Sequence, residues 1–164
     1  MKTFRLEDLF SIVDSLLGRT PDDLELQSFL TALGNWPLPD FEEEEFTIYL
    51  EDKARGFCLL FEDCSAVRHP LASGKPEKMP IFIGCFFYAE GVDEYSMFKG
   101  TLPENIVWSD DSTSLVAKLG VPNNEIINKK TGRLMAHRWS VKQWLLTASY
   151  DSGGFLQELY LGIT

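Results

Sequence analysis

The chain has 164 residues, of which 45% are hydrophobic and 13% aromatic, and this composition is typical of a globular protein rather than a disordered one. A chain of this length buries roughly 70% of its unfolded surface, so it can form a core without a metal or a disulfide. Its 25 acidic and 15 basic side chains give a formal net charge of −10. This charge argues against direct nucleic-acid binding, because phosphate recognition depends on Lys and Arg. It favours a cationic protein partner, although solubility alone also explains an acidic surface.

Three cysteines, Cys58, Cys64 and Cys85, lack the spacing of a zinc site or of a disulfide framework. Their odd number predicts reduced thiols in an intracellular protein. The first eight residues contain no apolar run of signal-peptide length, and no stretch of the chain is apolar enough to span a bilayer. We therefore expect a cytoplasmic protein without metal, cofactor or membrane contact.

Two amphipathic helices are predicted near the start of the chain. Apolar residues recur at spacings of three and four over residues 6–17, and again over residues 26–33. A glycine follows each stripe and is well placed to end the helix. Between the stripes, Thr20 is expected to cap the second helix, with Pro21 at its first position.

The period then changes to that of a strand. Apolar and polar residues alternate over 46–51 and 57–62, and the intervening residues 53–56 predict a hairpin turn. Residues 65–80 carry three prolines and are expected to form a loop or an extension of the hairpin. The almost wholly apolar segment 81–88 predicts a central strand that is covered on both faces.

The second half of the chain follows a similar plan. Residues 109–112 are expected to cap a short helix that ends at Gly120 and Pro122. A loop is expected over 123–132, because this segment contains Asn123, Asn124 and Gly132. Three further strands are predicted over 135–141, 143–150 and 155–163.

The two halves align on a Leu-Gly pair that ends a helix and is followed by a proline: Leu33-Gly34 with Pro37, and Leu119-Gly120 with Pro122. In both halves a strand, a tight turn, a second strand and an apolar third strand come next. We interpret this recurrence as an internal duplication. It predicts one α+β domain over residues 1–164, made of two tandem helix-plus-antiparallel-sheet repeats (about 1–91 and 92–164), with the helices packed on one face of the sheet.

Strand alternation assigns the side chains of such a sheet to two faces. The set expected to face the helices is Phe46, Ile48, Leu50, Phe57, Leu59, Phe61, Trp144, Leu146, Ala148 and Tyr150. The set expected on the opposite face is Tyr49, Glu51, Leu60, Glu62, Phe82, Phe86, Tyr88, Arg138, Gln143, Thr147, Glu158 and Tyr160. An alternative for Phe82 and Phe86 is cover by a loop or by the other repeat, whereas Tyr49, Glu51, Glu158 and Tyr160 are expected to be exposed.

A face that mixes tyrosines with acids suits a basic protein partner, because tyrosines are frequent binding hot spots. The acidic run 42–45 and the loop 91–95 offer further contacts, although solvated acids are the simpler explanation for each. The predicted partner-binding residues are Glu43, Glu44, Glu45, Tyr49, Glu51, Glu62, Asp93, Glu94, Glu158 and Tyr160.

Catalysis needs a nucleophile, a base and an orienting group, or a metal, and the sequence offers no such set. The chain has two histidines. His69 lies in the predicted loop, and His137 shares a strand face with Met135 and Trp139, which is typical of a core histidine. No hydrolase, metalloprotease or nucleotide-binding motif is present. The sequence favours a protein that is not an enzyme, with a carboxylate-based hydrolase as an alternative.

The Leu119-Gly120-x-Pro122 motif, followed by antiparallel strands, resembles the repeat of the β-lactamase inhibitory protein and of small outer-membrane-assembly lipoproteins. A longer set of residues resembles the pattern of small cytosolic bacterial proteins of toxin–immunity modules, including those of contact-dependent growth inhibition. It comprises Tyr88-Ala89-Glu90-Gly91, Tyr95, Phe98, Gly100, Leu102-Pro103 and the segment from Ser112 to Pro122. The chain departs from the secreted inhibitor in its lack of a leader and a disulfide pair, so a β-lactamase target is not implied.

The resemblance implies an immunity protein that binds and neutralises a cognate toxin domain. Many such toxins are basic nucleases, which would suit a partner of charge −10. The expected partner is therefore a protein, with no direct nucleic acid or membrane contact, and the free protein is expected to be a monomer. The alternative is an adaptor or assembly factor of the same repeat fold with no toxin partner.

Overall fold

A computed structural model of the protein describes residues 4–42, 44–141 and 144–163. These residues form three α-helices and seven β-strands. The helices are α1 (Leu9–Leu16), α2 (Leu24–Gly34) and α3 (Ser112–Leu119). The strands are β1 (Thr47–Asp52), β2 (Phe57–Asp63), β3 (Pro80–Tyr88), β4 (Asn124–Ile127), β5 (Leu134–Val141), β6 (Trp144–Tyr150) and β7 (Leu156–Gly162). The predicted α+β class with an antiparallel sheet is confirmed.

All seven strands belong to one antiparallel sheet in the order β1-β2-β3-β7-β6-β5-β4. Two three-stranded meanders, β1-β2-β3 and β5-β6-β7, meet in the middle where β3 pairs with β7. β4 extends the sheet beyond β5. The prediction of a central apolar strand is confirmed, because β3 lies between β2 and β7 and is buried along almost its whole length.

The helix starts show where local sequence and structure agree and where they differ. α3 begins after Asp111, whose carboxylate accepts a hydrogen bond from the Ser114 N–H (2.8 Å), as the capping pattern predicts. α2 begins later than predicted. The Asp23 carboxylate accepts from the N–H groups of Glu25 and Leu26 (2.9 and 3.1 Å) and caps the helix in place of Thr20.

One hydrophobic core contains apolar residues of all three helices and of one face of the sheet. We call this face the core face; it carries Phe57, Leu59, Phe61, Phe87, Leu146, Ala148, Leu159 and Leu161. Phe10 of α1 meets it through the rings of Phe87 and Trp144, at centroid distances of 6.2 and 6.1 Å. Trp36, just after α2, stacks on Phe57 at 5.9 Å.

Three expectations about the strands are wrong. Residues 124–127 form β4 rather than a loop, because pairing with β5 holds a short segment extended that has no strand alternation of its own. Phe82 lies on the core face against Phe61 (5.1 Å between centroids). It does so because Ile83 is an extra residue in the β2–β3 ladder and reverses the alternation. Phe46 precedes β1 and is 53% exposed.

Candidate partner-binding surface

The face of the sheet opposite the core face, here called the second face, carries five of the ten predicted binding residues: Tyr49, Glu51, Glu62, Glu158 and Tyr160. Strand register places one row of side chains across six strands, from β1 to β5: Glu51, Cys58, Phe86, Tyr160, Thr147 and Arg138. Tyr49 and Leu60 lie in the neighbouring row on one side of it, and Tyr88 and Glu158 lie on the other. Directly opposed side chains in a sheet are about 5 Å apart, so this row is a continuous surface.

Tyr95 covers the β1 end of this row. Its ring stacks on Tyr88 with 3.9 Å between centroids, and its hydroxyl donates a hydrogen bond to Glu51 Oε1 (2.7 Å). Tyr95 is only 3% exposed and forms a small apolar cluster with Cys58 and Tyr88. The segment that follows β3 therefore closes part of the face that the sequence predicted to be open.

The loop that delivers Tyr95 has an unusual backbone. Asp93 and Glu94 both adopt left-handed conformations (φ 48° and 67°), and Gly91 has φ 79°. Such conformations cost roughly 1 kcal/mol or more at each non-glycine residue, so the surrounding contacts must hold them. The Tyr95 carbonyl accepts from the Gly91 N–H (2.9 Å), and the Ser96 N–H donates to the Lys53 carbonyl (2.8 Å). Asp93 and Glu94 are exposed on this fixed loop.

Tyr160, predicted to be exposed, is 8% exposed. Its ring lies 4.6 Å from Phe86, and its hydroxyl donates to the Ile83 carbonyl (3.3 Å). The ring lies flat on the sheet because Gly84 and Gly162 are its neighbours, and a Cβ at either glycine would collide with the Tyr160 hydroxyl. The expectation of an exposed tyrosine is therefore wrong at this position, although it is right at Tyr49, which is 58% exposed.

Glu158 is half-buried beside Tyr88, with which it pairs across β3 and β7. Burial raises the pKa of its carboxyl, the negative charge of Asp93 raises it further, and a hydrogen bond from Ser149 Oγ (3.4 Å) acts against both. Burial likewise raises the pKa of the Cys58 thiol to about 12, with Glu51 and Glu158 adding to the shift. Cys58 is therefore a neutral thiol that fills space beneath Tyr95.

The predicted acids do not form one patch. Glu51, Asp93, Glu94 and Glu158, here called the Glu51 group, lie at one end of β1 around Tyr95. Glu44, Glu45 and Glu62, here called the Glu45 group, lie at the other end of β1, where Glu62 of β2 pairs with Thr47. Glu51 lies six positions after Glu45, which is roughly 20 Å along an extended chain. Glu43 lies outside the described residues.

Two lysines adjoin these groups. Lys53 Nζ is 3.2 Å from Glu94 Oε2 and 5.6 Å from the centre of the Tyr95 ring. Lys78 Nζ is 3.8 Å from the centre of the Phe46 ring and donates to the Glu45 carbonyl oxygen (3.3 Å). The two groups contain seven carboxylates against these two lysines, so both ends of β1 keep a negative excess that a basic surface could neutralise.

His137 occupies the core position that the strand pattern predicts. It is 4% exposed, its Nδ1 lies 3.0 Å from the Tyr150 hydroxyl, and its Nε2 lies 3.5 Å from Glu125 Oε1. Within the described parts of the chain, no group of three His, Cys, Asp or Glu side chains is placed to hold a metal ion.

Sequence reasoning missed the parts played by Tyr95, Gly84 and Gly162. In the sequence, Tyr95 stands at the end of an acidic loop and in the set of residues that resembles immunity proteins, and its single ring in that loop was the one signal that the loop folds inward. The glycines interrupt two otherwise apolar strands, a pattern that indicates close approach of another group. Neither signal identifies the ring that approaches.

No protein-family model matches the chain, and no curated protein sequence matches it. Among solved structures, the chain is similar to a DUF4309 family protein of Bacillus subtilis, with 10% sequence identity and a TM-score of 0.47 over 97% of this chain and 95% of that chain. A likeness of this size carries no functional argument. Across the described ranges, no helix combines the length and the apolar character that crossing a membrane requires.

Proposed function

We propose that the protein is a non-catalytic immunity protein that binds a basic bacterial toxin domain, with a nuclease domain as the leading candidate. The observation that carries the proposal is the Glu51 group, in which four carboxylates surround a buried pair of stacked tyrosines, Tyr88 and Tyr95. The hydrogen bonds of Tyr95 and of the loop 91–95 hold the backbone that carries these charges in place, so little backbone freedom is lost when a partner pairs with them.

The charge of the whole chain supports the same proposal. A net charge of −10 attracts a basic domain at long range and raises the rate of encounter. The exposed Tyr49 on β1 lies between the two acidic groups and supplies an aromatic contact of the kind that dominates binding energy. Acidic rims around an aromatic centre are an arrangement that selects a cationic partner.

The geometry changes which substitutions test the proposal. Reversing the charge of Glu51 or Glu158 would disturb the fold as well as the partner, because Glu51 holds Tyr95 and Glu158 is half-buried. Glu94, whose side chain is 88% exposed, and the exposed Glu44 are better choices. The double variant Glu7→Lys/Asp8→Lys, in the helical segment before α1, changes the net charge as much as Glu44→Lys/Glu94→Lys does, at two exposed sites outside both acidic groups.

The test uses the toxin domain encoded beside the gene for this protein. Co-expression should protect cells, and the two proteins should co-purify. The double variant Glu44→Lys/Glu94→Lys should bind roughly tenfold more weakly at low salt, with a smaller salt dependence, while the control Glu7→Lys/Asp8→Lys changes affinity only slightly. Failure to protect and to co-purify removes the immunity proposal. Equal effects of the double variant and the control would mean that only net charge matters, and would remove the Glu51 and Glu45 groups as the interface.

The proposal includes the internal duplication. Support comes from the arrangement of β1-β2-β3 and β5-β6-β7, which are both meanders and pair through their third strands. The Leu-Gly pairs used to align the halves lie at the ends of α2 and α3. If residues 1–91 and 92–164 are repeats that share one core, each expressed alone should be insoluble, and co-expression should restore a soluble complex. Independent folding of either half would contradict a shared core.

A further inference from the structure

β1 is an edge strand, and the direction of its backbone groups follows from two hydrogen bonds. β1 pairs with β2 alone. The Asp63 N–H donates to the Phe46 carbonyl (3.0 Å), and the Gly56 N–H donates to the Asp52 carbonyl (2.9 Å). In an antiparallel ladder the residues that bond to the neighbour alternate with those that do not. Ile48 and Leu50 therefore bond to β2, and the backbone N–H and C=O groups of the residues that alternate with them point away from β2.

The outward-facing backbone groups belong to Thr47, Tyr49 and Glu51. In the parts of the chain that the structure describes, no backbone or side-chain hydrogen bond from another segment reaches the N–H or C=O groups of these three residues. Six exposed hydrogen-bonding groups in a regular row form a template for one more strand. Edge strands of this kind bind extended peptides, with the backbone supplying affinity and the side chains supplying specificity.

The charges along this edge identify the chemistry of the strand that fits it. Glu44 and Glu45 are exposed before the start of β1, and Glu51 is exposed near its end, where it contacts Tyr95, the residue after Glu94. Tyr49 projects between them from the second face. A segment laid along β1 would pass both acidic groups, although these are too far apart for one compact side-chain cluster to contact together.

We infer that the partner is bound through an extended, lysine- or arginine-bearing segment that adds a strand to the outer edge of β1. This inference rests on the proposed binding function. The strand bonds to the outward groups of Thr47, Tyr49 and Glu51, its aliphatic side chains pack on Tyr49, and its basic side chains meet the Glu45 and Glu51 groups at its two ends. The seven-stranded sheet of the free protein becomes an eight-stranded sheet in the complex.

The opposite edge of the sheet does not fit the same segment. β4 has four residues, and the turn that follows it carries Lys129 and Lys130, which would repel a basic strand. Short edges flanked by lysine are a known protection against strand addition. The two edges of the sheet thus make opposite predictions for one probe, so each serves as the control for the other.

The probe is a short capped peptide of alternating lysine and valine, compared with the same peptide in which glutamate replaces lysine. Residue-resolved NMR of the full chain follows amide shifts and hydrogen exchange during titration to millimolar peptide. The amides of Thr47, Tyr49 and Glu51 should exchange fast in the free protein and become protected by the lysine peptide. Those of Ile48 and Leu50 should be protected throughout. The glutamate peptide should leave all of them unchanged.

Backbone and side-chain contributions are separated by two substitutions at one position. Thr47→Pro removes one outward N–H and should weaken peptide binding roughly tenfold, because the partner carbonyl loses its donor. Thr47→Val keeps the N–H and should bind as the unaltered protein does. Circular dichroism measures whether both variants are folded. If Thr47→Pro is unfolded, the amide protection pattern decides the question by itself.

Two outcomes overturn the inference while leaving the proposed function intact. The first is that the toxin domain or the lysine peptide shifts amides of the loop 91–95 without protecting Thr47, Tyr49 and Glu51, which places binding on the side chains alone. Protection of β4 rather than β1 also overturns it. Failure of the toxin domain to bind at all is a failure of the proposed function, and is distinguished by the co-purification experiment.

Discussion

The two edges of the sheet differ in how they limit the addition of another strand to their unpaired backbone groups. β4 is a four-residue strand with every residue exposed, and a lysine pair follows it. β1 has six residues, acids at both ends and Tyr49 at its centre, and Tyr95 packs over its end on the second face. A short edge beside like charges resists pairing, whereas a longer regular edge with one sign of charge is selective for strands of the other sign. Of the two edges, β1 is therefore the one that fits the proposed partner strand.

The largest expected effect tests which backbone groups of β1 face inward. Ile48→Pro removes a bond of the β1–β2 ladder and should lower the free energy of unfolding by about 3 kcal/mol, whereas Thr47→Pro should lower it by no more than about 1 kcal/mol. Urea unfolding of both variants measures the difference. Equal losses would mean that the alternation of inward and outward groups is not the one described here.

The substitution Tyr95→Phe tests how much the hydrogen bond from Tyr95 to Glu51, at the end of β1, stabilises the protein. This substitution keeps the ring stacked on Tyr88 and deletes the hydrogen bond to Glu51, so it should cost about 1 kcal/mol of unfolding free energy. Glu51→Gln serves as the comparison, because its amide oxygen still accepts the hydroxyl hydrogen. A loss from Glu51→Gln as large as that from Tyr95→Phe would show that the charge, rather than the hydrogen bond, matters.

The carboxyl group of Glu158, on the second face, makes the free energy of unfolding depend on pH. Its pKa is raised in the folded protein, so its stabilising effect is complete below the ordinary glutamate pKa and is lost as the pH rises through the raised value. Glu158→Gln should therefore gain stability relative to the unaltered protein as the pH rises through this window. Asp23, Asp63 and Asp111 have lowered pKa values and act in the opposite direction in both proteins. The difference between variant and unaltered protein, measured by urea unfolding at several pH values, isolates Glu158. A difference that stays constant with pH would contradict the assignment.

The smallest effect is expected at the other edge. Ile127→Thr changes a β4 side chain that is 48% exposed, so the free energy of unfolding should change by less than about 0.5 kcal/mol. Thermal unfolding measures it. A large loss would show that β4 is more tightly packed than its exposure indicates, and would weaken the contrast between the two edges.

Sequence by itself determined the helices, six of the seven strands and the central position of β3, because these follow from local spacing of apolar residues and from caps such as Asp111. It also identified Tyr49 as exposed and His137 as a core residue. Only the tertiary structure decided the β3–β7 pairing, the addition of β4, the reversal of Phe82 and the separation of the acids into two groups. These depend on contacts between residues far apart in the chain. The burial of Tyr160 shows the reason most simply: its own strand predicts its face, but the absent side chains of Gly84 and Gly162 determine how it lies on that face.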